Sequence, residues 1–407
     1  MNKLIGYFVM GGLSVCFAAC QSDVENPSDD NGIPAIDKVE FTEGETAMNI
    51  ALNEFGYKFF NVAVAESDNG ENVSVSPLSA SICLAMTANS GDDNLESKIL
   101  TMLGVASLSD LNSTVNQLMR FTSSKTNKGE LLLANSAWIS SDYEMSDDWK
   151  HYMSNSFYAD AFNIDFSNEN NKSIIDNWCS DKTRGLIPKM SADFNDEVMC
   201  MLVNALYFRG EWKDKFDKSL TDKQLFKGLN GDKIVDMMHA SNVMSYLNGS
   251  DFKGVMLPMG KNRMMVLLPE EGLSVKEFAK SLSYNDIENA KSNWKSVTLS
   301  LPKFESKTSY EVTDVFKEMG LPETCILERI GIQKLSELKA FQDCHTSIDE
   351  EGAKAAAVTT VEGVDTAFNP NYPEMDEVTL TIDRPFVYVI ANEETKSVIM
   401  MGVIYNI

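Results

Sequence analysis

Histidine is scarce in this chain: 407 residues contain only His151, His239 and His345. None belongs to an H-E-x-x-H metal motif, and neither a G-x-S-x-G nucleophile elbow nor a G-x-G-x-x-G fingerprint occurs. The stretch GVMLPMGK, Gly254 to Lys261, comes nearest to a phosphate loop. Five residues separate its glycines instead of four, and Asn262 stands where Ser or Thr is needed. With no metal cluster and no nucleophile beside a base, neither an enzyme nor a cofactor is expected, and a surface hydrolase would need such a constellation. Basic residues are also few, 35 Lys and Arg against 60 Asp and Glu, for a net charge of −25. So little basic surface can displace phosphate counterions, which argues against nucleic acid. The acidic residues are scattered, which implies a solvated surface and no particular partner.

Cysteine and linkers are missing in informative ways. Apart from Cys16 and Cys20 near the start, the cysteines are Cys83, Cys179, Cys200, Cys325 and Cys344, an odd number with no C-x-x-C pair. A disulfide framework is therefore not expected, and buried thiols are. Length alone, at about 150 residues per domain, suggests two or three units. No Pro- or Ser-rich linker, repeat or low-complexity tract follows residue 45, so one large domain over residues 45–407 is expected.

The N-terminus, MNKLIGYFVMGGLSVCFAAC, has Lys3, an apolar run from Leu4 to Ala19, and small residues before Cys20. It is short and a polar acidic stretch follows at once, so residues 1–19 read as a secretion signal rather than a membrane span. FAAC resembles the bacterial lipobox, with Phe17 departing from its usual Leu; Cys20 would then be lipidated and become the first mature residue. The alternative is ordinary cleavage near Ala19 and a secreted product. Residues 20–44 read as an acidic stalk. Acidic residues just after the Cys also resemble the signal for display on the outer surface of some bacteria, so an outer-membrane, cell-surface lipoprotein is expected.

Periodicity gives a mixed fold. ETAMNIALNEFGYKFFNVAVAE carries apolar residues at helical spacing, and VSVSPLSASICLAM reads as a short strand followed by a helix that opens at Ser76-Pro77. IIDNWCSDKTRGLIPKM reads as a helix stopping near Gly185. EVMCMLVNALYFRGEW is almost wholly apolar, as a strand buried on both faces would be. VMLPMGKNRMMVLL reads as two strands around Lys261-Asn262, and SVTLSLPKFES, TSIDEEG and the terminal RPFVYVIANEETKSVIMMG add more strand. The class is α+β with large sheets.

These segments resemble the serpin family. NVSVSPLSASICLAM is similar to its N-x-x-x-S-P-x-S motif, and IIDNWCSDKTRGLIPKM to its I-N-x-W-V-x-x-x-T-x-G-x-I segment, with Cys179 where Val is common. LVNALYFRGEWKDKFD is very close to L-V-N-A-x-Y-F-K-G-x-W, and VTLSLPKFESKTSYEVTDVFKEMGL and RPFVYVIANEETKSVIMMG match in the same order. The resemblance covers residues 45–407. It implies helices around three β-sheets and an exposed reactive-centre loop over about 350–380. It also implies that Ser76, Pro77, Ser79, Asn204 and His345 form the polar "shutter" beneath the opening strands. Trp212, Lys303 and Glu350 would form the "breach" at the sheet's top.

The loop segment, DEEGAKAAAVTTVEGVDTAF from Asp349 to Phe368, can be checked for the insertion the family implies. In a strand, Ala353, Ala355, Ala357, Thr359, Val361 and Gly363 share one face, all small and uncharged. Lys354, Ala356, Val358, Thr360 and Glu362 share the other, and no proline interrupts the ladder. Glu350, Gly352, Ala353, Ala355, Ala356 and Ala357 thus form a hinge able to become a strand. The resemblance implies suicide inhibition of a target serine protease, elastase-like or subtilisin-like and with cysteine proteases as a further class, held as a covalent acyl complex. A non-inhibitory serpin acting as a binding or chaperone-like module is the alternative.

Family spacing from Glu350 puts the reactive bond at Thr366-Ala367. Counting back from Arg384-Pro385 moves it several residues later, because AFNPNYPEMDEV is longer than usual. The hinge count is preferred, since insertion length constrains it directly. Val364, Thr366 and Ala367 suit a small pocket, Asp365 an Asp-specific enzyme and Phe368 a chymotrypsin-like one. No Arg or Lys lies between Glu362 and Asn371, which disfavours trypsin-like targets. A heparin-type cofactor is not expected, because NQLMRFTSSKTNKGE offers only Arg120, Lys125 and Lys128. A monomer is expected.

Overall fold

A computed structural model describes residues 32–407, except 68–69, 124–128, 186–187, 190–197 and 354–375. The signal, Cys20, hinge residues Ala355, Ala356 and Ala357, and Val364 to Phe368 all lie outside the described residues. Among the described residues, six α-helices occupy the first half: α1 (Glu43–Glu66), α2 (Pro77–Ala88), α3 (Asp93–Leu103), α4 (Leu108–Thr122), α5 (Asp147–Phe157) and α6 (Lys172–Lys182). Shorter ones follow at α7 (Val275–Ser281), α8 (Tyr284–Glu288) and α9 (Thr313–Glu318).

Helix α1 starts where its sequence caps it. The Thr42 amide donates to Glu45 Oε2 (2.8 Å), and the Glu45 amide donates to Thr42 Oγ1 (3.2 Å), a reciprocal capping box. Ahead of it Ile33 is buried, and the Arg120 Nε donates to the Pro34 carbonyl at 3.1 Å. Packing thus already includes Ile33, ahead of residue 45. A single apolar anchor inside an acidic stretch is what the compositional boundary overlooked.

The strands form two hydrogen-bonded networks. One uses β1 (Val73–Val75), β5 (Asp222–Gly228), β6 (Gly231–Asn248), β7 (Phe252–Met259), β8 (Asn262–Pro269), β9 (Lys291–Pro302), β14 (Glu377–Thr381), β15 (Phe386–Asn392) and β16 (Val398–Ile404). Its order is β1-β16-β15-β8-β7-β6-β9-β14, with β5 on β6. Long β6 joins two of the three anticipated sheets into this network. The Gly260-Lys261 turn separates β7 from β8, one residue earlier than expected, because Gly260 takes φ +58° there.

The other network holds the candidate site. Its order is β10 (Phe304–Glu311), β12 (Ile332–Asp349), β4 (Val198–Gly210), β2 (Gly129–Ser140) and β3 (Ala159–Ile164), with β11 (Cys325–Leu327) and β13 (Gly352–Ala353) on β12. Every residue of α2 is buried beneath this sheet. On the opposite face Ile175, Trp178 and Cys179 of α6 pack in one cluster with Ala134, Trp138, Met201, Val203, Ala205 and Phe341. Cover on both faces is why β4 has to be apolar along almost its whole length.

Candidate functional site: the seam between β4 and β12

Strands β4 and β12 run parallel and are level from Cys200 opposite Leu338 to Tyr207 opposite His345. Parallel neighbours bond somewhat less well than antiparallel ones. An antiparallel strand entering between them would replace one parallel ladder with two antiparallel ladders.

One end of the seam has already parted. Asp349 and Ile348 pair with Gly352 and Ala353 of β13 instead of with β4. On its other side Gly352 bridges antiparallel to Glu211, just past the end of β4. The tight turn between β12 and β13 is Glu350-Glu351. The Trp212 amide donates to the Glu351 carbonyl (3.0 Å) and the Phe216 amide to the Glu350 carbonyl (3.1 Å). The Trp212 indole Nε1 donates to the Asp349 carbonyl at 2.8 Å. Gly352 has φ +130°, and a Cβ there would lie 2.8 Å from Glu211 Cα, 2.9 Å from Trp212 N, and closer still to the Gly210 carbonyl. Only glycine fits.

Charge fixes the same turn. Lys303 Nζ lies 2.6 Å from Glu350 Oε1, and the Thr221 hydroxyl donates to that oxygen at 2.8 Å. Burial pushes the Glu350 carboxyl up, but the Lys303 and Thr221 hydrogen bonds outweigh it and hold the group below its ordinary value. Glu351 takes Lys215 at 2.6 Å and Lys218 at 2.9 Å, and those two hydrogen bonds lower it in turn.

Halfway down the seam, amide side chains form a row on the α2 face. Asn135 of β2 is level with Asn204 of β4, and Asn204 with Gln342 of β12. Asn204 Nδ2 donates to Asn135 Oδ1 (2.7 Å), whereas the buried Asn204 Oδ1 has no hydrogen-bond partner. Gln342 turns to Ser76: it accepts the Ser76 amide at 2.7 Å and donates Nε2 to the Ser76 carbonyl at 2.9 Å. Ser76 is the N-cap of α2, accepting from the Ser79 amide (3.1 Å) and donating its hydroxyl to the Ile399 carbonyl (2.7 Å). Pro77 is the first residue of α2, and the Ser79 hydroxyl is buried with no hydrogen-bond partner.

His345 is not part of this row. It lies three residues beyond Gln342, and the strand's period of two puts it on the opposite face. There its Nε2 is 2.9 Å from Glu305 Oε1 and its ring is 6.5 Å from that of Tyr207. Gln342, not His345, stands level with Asn204 and bonds to Ser76. Gln342 and Asn135 were thus missed, although strand parity counted back from Ile348 separates Gln342 from His345. Also missed was a buried hydroxyl cluster: Ser74 Oγ is 2.7 Å from Ser306 Oγ and 2.8 Å from Tyr388 OH, which is 3.1 Å from Thr346 Oγ1. The five described cysteines are buried. Burial pushes the Cys83 thiol up to about 12 and Cys325 up to about 11, so neither is a thiolate nucleophile at neutral pH.

The family model for "Serpin (serine protease inhibitor)" matches residues 50–407. An uncharacterized serpin-like protein of Methanosarcina mazei is 28% identical over 86% of this chain and 85% of its own length. Intracellular coagulation inhibitor 2 of Tachypleus tridentatus is 25% identical over 87% of this chain and 90% of its own. Among solved structures, the thermophilic serpin Tengpin in its native state superposes with a TM-score of 0.79 at 26% identity, covering 92% of this chain and 98% of that one. The protein belongs to the serpin family, whose members are in general inhibitors of proteases and not enzymes.

Proposed function

We propose that this protein is a suicide inhibitor of serine proteases with small or apolar pockets, elastase-like or subtilisin-like, acting as a monomer. The protease attacks the loop after β13, and its serine forms an acyl-enzyme with the residue before the cut. The freed loop then zips into the seam between β4 and β12, carrying the acylated protease with it before water can release it. The observation that carries this reading is the parallel seam with β13 already seated in its open end.

The register supports the details. Each residue beyond Ala353 would meet the residue one earlier on β12 and one earlier on β4, starting from Gly352 between Asp349 and Glu211. Continued, this brings Thr359 between Gln342 and Asn204, on the α2 face, where its hydroxyl can donate to the unpartnered Asn204 Oδ1. The last regular pair of the seam, Leu338 and Cys200, would meet Gly363. Thr366 lies just beyond, which favours Thr366-Ala367 as the reactive bond over a later one. From Gly352 to Thr366 is about 15 residues, roughly 50 Å of strand, a transfer from one end of the sheet to the other.

We also propose attachment to the outer membrane through lipid on Cys20, with the inhibitor displayed at the cell surface. FAAC and the acidic residues after it support this.

The test is incubation of the mature protein with an elastase-like serine protease, followed by a denaturing gel and the mass of the released C-terminal peptide. A complex that survives denaturation, with a peptide beginning at Ala367, is expected. Cleavage without a complex across protease classes would contradict inhibition and favour a binding module.

A further inference from the structure

Asp343 is a buried carboxylate that loop insertion does not use. It lies on β12, level with Ala205 of β4 across the seam and with Ser309 of β10 on its other side. It points to the α6 face, opposite to Gln342, and is 2% exposed. The Ser309 hydroxyl bonds to it, yet its Oδ2 is buried with no hydrogen-bond partner. Among the described residues no cation pairs with it. From α6 the charge that acts on it is Asp176, with the Cys179 thiol beside it. From β4 it is level with Ala205, and from β10 with Ser309, beyond which Lys307 on the same face pairs with Glu305 at 2.9 Å. Along β12 the next titratable side chain on the same face is His345, which is engaged with Glu305. A buried carboxylate facing a second carboxylate is costly to keep ionised.

We propose that Asp343 is a proton-operated catch on the seam: protonated, it lets β12 close against β4 beneath α6, and ionised, it favours parting of the two strands. This rests on the insertion reading, because parting of that seam is the event the catch governs. When the strands separate, water reaches the carboxylate and its charge becomes tolerable. Closing strips that water away. Burial first, and Asp176 second, raise the group to about 6 in the closed protein against an ordinary 3.8. A group whose value is raised by closing takes up its proton in the closed state, so closure gains as pH falls from about 7 to about 5. The inhibitor would be held shut in acid and released for insertion near neutrality.

The test uses a labelled synthetic peptide of the loop, residues 352–366, whose incorporation into the intact protein reports how readily the seam opens. For a carboxylate titrating near 6, incorporation into the wild type should be about tenfold slower at pH 5 than at pH 7. Asp343→Asn should be slow at both values. Asp176→Asn, which leaves Asp343 in place, should keep the pH dependence with its midpoint moved to lower pH. The thermal midpoint of the uncleaved protein reads the same proton without any insertion: it should rise from pH 7 to pH 5 in the wild type and stay level in Asp343→Asn. Failure of the peptide to enter the wild type at any pH would sink the insertion reading. An Asp343→Asn protein with the wild-type pH dependence of both peptide entry and melting would overturn the catch. If Asp343→Asn does not fold, an Asp176→Asn midpoint equal to that of the wild type overturns it equally.

Discussion

Gln342 fastens β12 to the turn that leads into α2. It satisfies both main-chain polar groups of Ser76, at 2.7 and 2.9 Å, where the chain turns from β1 into α2. Truncation to Ala would leave the buried Ser76 amide without a partner, while its carbonyl still accepts from the Ala80 amide (3.0 Å), a loss of about 1–3 kcal/mol. Urea unfolding should show that drop for Gln342→Ala and a smaller one for His345→Ala, whose partner Glu305 is half exposed. Equal losses would mean that the amide row is not the fastening. Acid acts on the same scale through Glu350. A carboxyl held below its ordinary value stabilises the fold above that value, and the contribution disappears as pH falls through the native one. With Glu350 and Glu351 both lowered by their lysines, melting should fall as pH drops below the ordinary glutamate range. Glu350→Gln should flatten that limb, while the Asp343 contribution between 5 and 7 has the opposite sign. Parity explains what the sequence hid at this scale: His345 catches the eye as one of three histidines, yet it sits on the wrong face of its strand.

At the scale of the element, β13 is a two-residue strand that tests whether a longer one can follow. Its register would put Ala357 between Leu206 and Cys344, both buried on the α2 face. Ala357→Arg would have to bury a cation there, at a cost of several kcal/mol. Loop cleavage by the protease should proceed at the wild-type rate while the covalent complex disappears from the gel; a complex formed as before would mean the loop does not enter this seam. The period-two division of small and charged residues in this stretch was legible in the sequence, as were the start of α2 at Ser76-Pro77 and the all-apolar β4. The partner strands were not. That β12 lies parallel to β4 depends on contacts between residues far apart in the chain, and no local pattern states which edge is left to be filled. That packing reaches back to Ile33 was hidden for a related reason, since the neighbouring Pro34 and Ile36 bond to Arg120 of α4, which cannot be foreseen from the stalk's composition.

For the whole molecule, the seven-stranded network is incomplete in a definite sense: its central pair is parallel, flanked by cover on both faces, and open at one end. Insertion would add on the order of ten ladder hydrogen bonds worth about 1 kcal/mol each. For a domain of this size each kcal/mol moves the midpoint by about 2 °C. The most direct measurement is therefore the melting temperature of the same protein before and after its loop is cut by a protease that does not stay bound. The account predicts a rise on the order of 20 °C on cleavage. An unchanged or lower midpoint would show that the severed loop stays out of the seam, and the central claim would be wrong.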